Sequence, residues 1–459
     1  MGRSEVSERF DAVVVGGGTA GLQAALQLAR AGRTVALLER RAEGRSGARW
    51  INGVLDWQYE RAGLAPAVAP ERRHGSGSAW MASPSGRHRF RVADTPVVEA
   101  DMRELSARLA TEATAAGVDL RWGTDRPRLE LDWGRPVALR AEGPGGREVH
   151  LEADLFVDAS GRAAVLRRQV PELDHRCPVV APDDTCSAEQ LVHEVADADG
   201  ARAFLAEHGA EPGDAVVTVG VEGGYSTVNI RVDESLEEVS VLTGSIPSLG
   251  HPSGPAMGRA VRARHPWIGA TTFGGSGLIP LRRTYDRFTA PGVALVGDAA
   301  CQVMAGHGSG IGFGLIAGRA LADAVGADGD PGSADALWRY QAAVLREFGA
   351  TLGAYDAVRR MSVALGRDGV EELFASGVFS EALVRPGLEQ RVGALAPAEA
   401  LAAGRALAVR PSLARAVVPA LAAMGAARAV YAAYPTRPDE RAFGAWQRAA
   451  AIALPRQGR

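Results

Sequence analysis

The stretch Asp11–Glu39, DAVVVGGGTAGLQAALQLARAGRTVALLE, decides how this chain folds. The apolar run Ala12–Val15 predicts a buried strand, and Gly16, Gly18 and Gly21 follow it in the spacing G-x-G-x-x-G. In a dinucleotide-binding unit the first glycine permits a tight turn, the second lets a pyrophosphate approach, and the third lets the next helix pack on the strand. We therefore expect phosphates at the helix N terminus, where unpaired N–H groups face them.

A helix and a second strand complete this unit. Apolar side chains recur at helical spacing, and Gly32 is placed to end the helix. The run Val35–Leu38 then predicts a second buried strand that leads into Glu39. A carboxylate at this position suits hydrogen bonds to an adenosine ribose and repels a 2′-phosphate, so the stretch predicts FAD or NAD in preference to NADP. The residues of the apolar helix face are Leu22, Ala25, Leu26 and Ala29.

Length and composition exclude several classes of function. The 459 residues are enough for two or three domains, and a net charge of −3 gives no electrostatic reason to expect a nucleic-acid partner. All 51 basic residues are Arg, which excludes mechanisms that need a lysine, such as a Schiff base. Cys177, Cys186 and Cys301 have no C-x-x-C spacing, so we expect reduced thiols, no metal site and a cytoplasmic protein.

The sequence also bears on membrane association. The N-terminal residues MGRSEVSERF are polar, so we expect no signal peptide. The most apolar later stretch, Ala416–Ala427, has 12 residues and contains Pro419, so we expect no transmembrane segment. A peripheral membrane contact stays open, and the sequence does not indicate the oligomeric state.

A basic, glycine-rich segment follows the second strand. Arg40 and Arg41 come directly after Glu39, and EGRSGARWINGV occupies Glu43–Val54. A loop in this place can reach a dinucleotide, which makes Arg40 and Arg49 candidate ligands of the cofactor. The alternative is an exposed basic loop without a ligand.

The remaining patterns predict three regions. Strands are expected near 118–122, 137–141, 148–151 and 155–158, with a helix over 99–117. Alternating segments at 216–221, 225–232 and 238–243 predict an antiparallel sheet, which a hairpin at 79–92 precedes. Helical patterns dominate from Ser333 onward. We expect a discontinuous nucleotide-binding domain (1–78, 98–170 and 281–332), a substrate-binding sheet domain (79–97 and 171–280) and a C-terminal helical region (333–459).

Two later strand-to-turn motifs extend the first one. They are DASGR at Asp158–Arg162 and GDAA at Gly297–Ala300, with a G-x-G at 308–310. With the opening motif, these residues resemble the FAD-dependent superfamily of p-hydroxybenzoate hydroxylase, the geranylgeranyl reductases and the flavin halogenases, over about residues 10–330. The resemblance implies an α/β fold with a Rossmann-like FAD-binding domain, an inserted antiparallel substrate domain and a helical C-terminal region.

The resemblance also implies roles for individual residues. Glu39 would hold the adenosine ribose, Arg103 would lie near the pyrophosphate, and Asp298 would bind the ribityl chain. The N–H groups of Gly308–Ile311 would face the flavin pyrimidine, where a helix N terminus favours the negative charge of reduced flavin. The full set of expected FAD ligands is Gly16, Gly18, Thr19, Ala20, Gly21, Glu39, Arg40, Arg49, Arg103, Asp158, Gly161, Gly297, Asp298, Gly308, Gly310 and Ile311.

The loop QVMAGHGSGIG resembles the reductase branch most closely. Hydroxylases and reductases usually carry a proline in this loop, where the present chain has Met304-Ala305. Reductases also have a Y-x-W-x-F-P stretch in the substrate sheet. The comparable segment, Gly224–Asn229, lacks its Trp and Pro.

Two side chains are candidates for the chemistry. Cys301 follows GDAA directly and would lie near the flavin as a proton donor or tuning group; the alternative is a small buried hydrophobe. His307 would face the ring as an acid or as a partner of reduced flavin; the alternative is an ordinary loop histidine. Candidate substrate ligands, each of which could instead only pack, are Tyr225, Asn229, Arg282 and Tyr285.

These observations predict an FAD enzyme that performs two-electron redox, by C=C reduction or dehydrogenation, on a small apolar organic molecule. NAD(P)H is the expected external reductant. The alternative is an NAD(P)H-dependent flavin monooxygenase. A flavin halogenase fits less well, because halogenases of the tryptophan type resemble one another in a W-x-W-x-I-P motif and a lysine that this chain lacks. A non-redox NAD-binding protein would not need the second and third turns.

Overall fold

A computed structural model describes residues 7–74, 77–326 and 329–455. The strands are β1 (Glu8–Val15), β2 (Val35–Glu39), β3 (Ile51–Leu55), β4 (Arg72–His74), β5 (Ala79–Ala82), β6 (Arg89–Val92), β7 (Val97–Asp101), β8 (Asp119–Trp122), β9 (Asp125–Asp132), β10 (Arg135–Glu142), β11 (Glu148–Asp158), β12 (Thr185–Val195), β13 (Ala215–Val219), β14 (Ser226–Val232), β15 (Glu238–Ser245), β16 (Ile268–Pro280), β17 (Thr289–Ala290) and β18 (Val293–Leu295). The helices are α1 (Thr19–Arg30), α2 (Asp56–Arg61), α3 (Met102–Ala115), α4 (Pro171–Arg176), α5 (Ala198–His208), α6 (Gly254–Arg264), α7 (Ile311–Val325), α8 (Ala334–Ala375), α9 (Glu381–Leu388), α10 (Pro397–Ala408), α11 (Pro411–Ala432) and α12 (Glu440–Ala453).

The first sheet has a parallel centre. Its main order is β17-β18-β11-β1-β2-β8, and β10 and β9 continue from β11 as antiparallel strands. Val15 pairs with Asp158, which in turn pairs with Leu295, so three strands end in register. Loops that follow the carboxyl ends of adjacent parallel strands meet at one edge of a sheet, which is where such folds bind ligands. The three turn motifs therefore lie side by side.

Small residues bring two helices onto this edge. A Cβ on Gly297 would lie 2.9 Å from the Ala20 Cβ atom, and a Cβ on Gly314 would lie 3.0 Å from it. One turn further along, a Cβ on Gly318 would lie 2.8 Å from the backbone nitrogen of Ala24. The backbones of α1 and α7 can approach this closely only because these positions lack side chains. The contact fixes the first and third turns relative to each other.

The second sheet is antiparallel apart from one parallel pair. Its order is β16-β12-β15-β14-β13-β5-β6, and all seven strands come from residues 79–92 and 185–280. One face packs against α5 and α6 through side chains that include Ile230 and Val241. On the opposite face Arg231 pairs with Glu99 of β7, at 3.2 Å, so this face is turned towards the nucleotide-binding domain.

The sequence patterns missed several elements. Residues 148–151 and 155–158 belong to one strand, β11, because the residues between them pair with β1 and continue the alternation of buried and partly exposed side chains. The segment Glu43–Val54 ends in a strand, β3, and is not loop throughout. β9, β12 and β16 were not predicted; β16 contains four glycines within its 13 residues and lacks a hydrophobic alternation.

The C-terminal helices pack against one another and against the first and second sheets. Helix α8 spans 42 residues and is interrupted at Gly366, whose φ is 61°. Tyr431 of α11 lies against Gly349 and Gly353 of α8, and it is fully buried. Glycine at these two positions therefore sets how closely α8 and α11 can pack.

Helix α11 contains the apolar stretch Ala416–Ala427. Pro419 lies inside this helix, which has 22 residues in all. Among the described residues α11 is the one helix long and apolar enough to cross a membrane, and 28% of its apolar window is buried in the protein. A core helix of a soluble protein passes the same test, so this is weak evidence for a span.

Two glycine substitutions, one in the α8–α11 contact and one outside it, should change the stability of the protein in opposite directions. Gly349→Ala would place a methyl group into the Tyr431 ring, and we expect it to lower the free energy of unfolding by about 1–3 kcal/mol. Gly404→Ala lies in α10 with no atom within 4 Å of the new methyl, and we expect a gain of up to about 1 kcal/mol. Urea unfolding followed by circular dichroism measures both. Equal effects of the two substitutions would contradict the packing described.

Candidate active site

The first glycine turn has the shape of a cradle. A Cβ on Gly16 would lie 2.8 Å from the Cα atom of Ser160, and one on Gly21 would overlap the Gly16 carbonyl oxygen. Gly18 is different, because its Cβ would meet only Gly47 Cα, at 3.8 Å. The space above Gly18 is thus open on the ligand side. Helix α1 begins at Thr19 without a side-chain cap, which leaves its first N–H groups available to an anion.

Glu39 closes one end of this cradle. Its carboxylate accepts hydrogen bonds from the backbone N–H groups of Gly17, at 2.7 Å, and of Arg41, at 2.8 Å. Each carboxylate oxygen keeps a further lone pair for a hydroxyl donor. The geometry is compatible with a ribose ligand.

Four arginines gather beside the glycine turn. Burial lowers the pKa of Arg49, and the positive charges of Arg45, Arg103 and Arg41 lower it further, with Asp101 opposing them. Like charges so close to one another are unfavourable unless an anion lies between them. A dinucleotide diphosphate would supply that anion. Arg40 is exposed, and its expected contact stays a prediction.

Arg103 links the cradle to the substrate sheet. It forms a 2.6 Å ion pair with Asp101, and its guanidinium lies 3.5 Å from the ring centroid of Phe273 on β16. One turn along α3, the buried hydroxyl of Ser106 has no partner among the described residues and faces Gly47. A free hydroxyl there suits a phosphate oxygen.

The second turn departs from one expectation. Asp158 is fully buried, and its carboxylate accepts hydrogen bonds from Ser160, through both its backbone N–H and its hydroxyl, and from the backbone N–H groups of Leu166 and Arg167. Those four donors occupy its oxygens, so Asp158 shapes the turn and does not contact a ligand directly. Gly161 remains available, with a φ of 71° and no atom within 4 Å of its missing side chain.

The third turn presents a carboxylate that has no hydrogen-bond donor among the described residues. Burial raises the pKa of Asp298 from 3.8 to about 6. The residue is partly buried and keeps accessible surface. The strained chain around it is held by Gln302, which accepts from the Gly297 N–H at 2.6 Å.

The loop after this turn leads into an uncapped helix. The backbone N–H of Met304 donates to the Ser309 carbonyl at 2.9 Å, which closes the loop on itself. Helix α7 then begins at Ile311, with Gly310 as its N-cap, no side-chain cap and no acidic residue in the first turn. The positive end of α7 is therefore free to stabilise negative charge on a ligand.

Two of the candidate side chains, Tyr225 and His307, lie at this loop, and a third, Asn229, lies on β14. The Tyr225 hydroxyl lies 3.3 Å from the position that a Gly308 Cβ would occupy. His307 Nε2 contacts the Gly387 carbonyl at 3.2 Å; surrounding protein lowers the pKa of His307, although the ring keeps accessible surface. The amide oxygen of Asn229 is buried and has no partner among the described residues.

The structure corrects the expectation for Arg282 and Tyr285. Tyr285 has no exposed surface; its hydroxyl accepts from Arg167 at 2.6 Å and donates to the Pro178 carbonyl at 2.7 Å. Arg282 is 2% exposed and stacks on the Tyr285 ring. Neither side chain can line a substrate pocket, because the segment that returns from the substrate sheet runs through the core. Cys301 is likewise sealed beside them, and burial raises the pKa of its thiol, which favours the hydrophobe alternative.

Comparison with known proteins also indicates an FAD-dependent oxidoreductase. Residues 11–197 match the family model described as FAD dependent oxidoreductase. The chain is 31% identical to digeranylgeranylglycerophospholipid reductase 1 of Methanopyrus kandleri over 82% of its own length and 96% of that enzyme. It is 23% identical to digeranylgeranylglycerophospholipid reductase of Sulfolobus acidocaldarius over 96% of both chains.

The chain belongs to the geranylgeranyl reductase family. It is therefore an FAD-dependent oxidoreductase that carries out two-electron redox. Among solved structures, a geranylgeranyl bacteriochlorophyll reductase-like protein from Thermoplasma acidophilum has the same fold, with a TM-score of 0.70 at 17% identity over 90% of this chain and all of that one.

Sequence motifs missed part of this candidate site. Gly47 was not singled out within the segment Glu43–Val54, and Ser106 belongs to no motif; the fold brings Gly47 to Gly18 and Ser106 to Gly47. Ser309 and Gln390 are hydrogen-bonded at 3.0 Å although 81 residues separate them in the chain. A positive φ of 54° at Gln390 is invisible in the sequence.

The glycine cradle predicts that two substitutions separate folding from cofactor binding. Gly18 has a φ of −73°, which alanine adopts readily, so Gly18→Ala should keep the apoprotein fold and weaken FAD binding by about tenfold or more, because the methyl group occupies the diphosphate space. Gly21→Ala should instead lower the melting temperature, because its methyl overlaps the Gly16 carbonyl. Fluorescence titration with FAD and thermal unfolding test both. FAD binding by Gly18→Ala at parental affinity would disprove the cradle.

The raised pKa of Asp298 predicts that the apoprotein becomes less stable as the pH rises and this carboxyl ionises. The folded pKa of about 6 lies above the ordinary value of 3.8, so stability from this carboxyl is complete below about pH 4 and is lost as the pH rises through 6. Asp298→Asn removes that loss, and its melting temperature should exceed the parent's by more at pH 8 than at pH 5, while FAD binding weakens. The exposed Asp368→Asn is the control. A difference that does not change with pH would contradict this.

Proposed function

We propose that this protein reduces C=C bonds of an apolar isoprenoid chain. The observation that carries the proposal is the likeness, over nearly their full length, to relatives named as digeranylgeranylglycerophospholipid reductases. The departure at Gly224–Asn229 from the usual aromatic stretch of reductases leaves the length and headgroup of the substrate open. NAD(P)H, directly or through another carrier, is the proposed source of electrons.

The proposed placement of FAD uses the three turns in order. The adenosine ribose would lie at Glu39, the diphosphate between Gly18 and the arginine cluster, and the ribityl chain at Asp298. The flavin ring would lie against the loop 304–310, with the N–H groups at the start of α7 towards its pyrimidine. When bound, FAD supplies the hydride; the residues around it bind, orient and exclude water.

An apolar layer supports an isoprenoid substrate. Between the second sheet and α8–α9, partly buried side chains of both elements pack together. A second apolar cluster holds Tyr225, Ile279 and Val363 together with Ala305 of the loop 304–310. Tyr225, in this second cluster, and His307, in the loop, are the polar groups that would lie where a substrate meets the ring. The apolar side chains are Val217, Val219, Leu365, Val384 and Leu388.

The proposal is tested by anaerobic turnover. FAD-loaded protein, reduced with dithionite or NAD(P)H, is incubated with geranylgeranyl diphosphate and, separately, with a digeranylgeranylglycerophospholipid. The expected product gains two hydrogen atoms for each reduced double bond, as measured by mass spectrometry, and needs no oxygen.

Other outcomes would replace the proposal. A product that gains one oxygen atom, formed only in air with NAD(P)H oxidation, would identify a monooxygenase. Unchanged isoprenoids in both arms, with FAD bound and reduced, would remove isoprenoids as substrates. Tyr225→Phe and His307→Asn then show whether either group contributes to turnover.

A further inference from the structure

The C-terminal region reaches into the proposed flavin site. The segment Gly387–Arg391, which includes the last two residues of α9, lies against the loop 304–310: the Gly387 carbonyl contacts His307, and Tyr355 donates from its hydroxyl to the Arg391 carbonyl at 3.1 Å. A Cβ on Gly306 would lie 2.8 Å from the Tyr355 ring, so the loop has no room to move towards α8. The flavin loop is therefore backed by C-terminal residues.

One residue of this segment bonds to both sides of the site. Gln390 is 3% exposed, and its side-chain amide donates to the Ser309 hydroxyl at 3.0 Å. Its amide oxygen accepts from the side-chain amide of Gln58 at 2.8 Å, and the oxygen of Gln58 accepts from the backbone N–H of Leu55 at 3.1 Å. The described contacts thus form a buried chain from β3 to the flavin loop.

This chain holds the first turn of α7 from two sides. Ser309 precedes the N-cap of α7, and a Cβ on Gly312, in its first turn, would overlap the side-chain amide of Gln58. The same two glutamines therefore fix the residue before the helix and the space beside it. No other side chain among the described residues bonds to the Ser309 hydroxyl.

The backbone of Gln390 points to a role for its side chain. Its φ of 54° lies in the left-handed region, and the residue comes two positions after the end of α9, where glycine is the usual occupant. A glutamine tolerates this conformation less well than glycine, so the side-chain bonds must compensate.

We propose that Gln390 is a positioning residue for the flavin. Through Ser309 it fixes the backbone that carries the N–H groups of Gly310 and Ile311 towards the pyrimidine, and so sets how strongly reduced flavin is stabilised. The inference rests on the placement of FAD under "Proposed function", and it needs neither the isoprenoid substrate nor NAD(P)H.

Gln390→Gly is the sharpest test, because glycine suits the backbone while it removes the amide. In this variant we expect the dissociation constant for FAD to rise about tenfold. We also expect a more negative midpoint potential of the bound flavin, because the N–H groups of α7 would stabilise the negative charge of reduced flavin less well. Trp133→Gly is the matched control: Trp133 also has a positive φ, 48°, but it is fully exposed at the β9–β10 turn. Its FAD affinity and potential should equal the parent's.

Ser309→Ala removes the other end of the bond. It should reproduce the shift in potential of Gln390→Gly, and the double variant should be no worse than either single one, because both remove the same contact. Additive shifts in potential in the double variant would overturn the proposal. So would an unchanged flavin potential in Gln390→Gly, whether or not FAD binds more weakly. Failure of isoprenoid turnover leaves these measurements intact, so it tests the proposed function separately.

Discussion

The site depends on one constraint: backbone must meet backbone at the carboxyl edge of the parallel sheet. Gly16 and Gly21 lie against Ala159, and Gly297 and Gly314 lie against Ala20. A side chain at any of these glycines would push one turn away from the next. Because the contacts involve backbone and methyl groups, they leave little freedom for the turns to separate, and three motifs about 140 residues apart in sequence become one continuous surface.

Electrostatics at this surface favour an anionic, hydroxyl-rich ligand. Mutually repelling arginines surround Arg49 at one end, and Asp298 at the other end is buried without a donor among the described residues. Each arrangement costs free energy in the ligand-free protein, and FAD in the proposed placement would relieve both through its diphosphate and its ribityl chain. With no lysine in the chain, stabilisation of charge near the reactive ring falls to backbone N–H groups, Arg or His.

The fold was predictable where neighbouring residues form a known structural motif. The strand, glycine turn and helix at Asp11–Glu39 are encoded by neighbouring residues, and so are the turns at Asp158 and Asp298, whose edge-to-edge arrangement follows from parallel pairing. By contrast, β16 was missed because glycine replaces the alternation of a normal strand where Trp50 packs on it.

Side-chain roles were harder to predict than elements. Arg282 and Tyr285 carry polar groups typical of a pocket, yet tertiary packing turns them into the core, where Arg167 and Pro178 satisfy the tyrosine hydroxyl. The chain Gln58–Gln390–Ser309 depends on a contact between residues 332 positions apart and on a left-handed backbone at Gln390. No local pattern encodes either feature, so only the folded chain reveals them.

Hydrogen–deuterium exchange of the apoprotein with and without FAD tests most directly whether the three turns form one site. The account predicts slower exchange at the backbone amides of residues 17–21 and of residues 308–312 on FAD addition, with ADP alone protecting only the first group. Protection confined to 17–21 with FAD as well would contradict it, because the flavin half would then lie away from the loop 304–310.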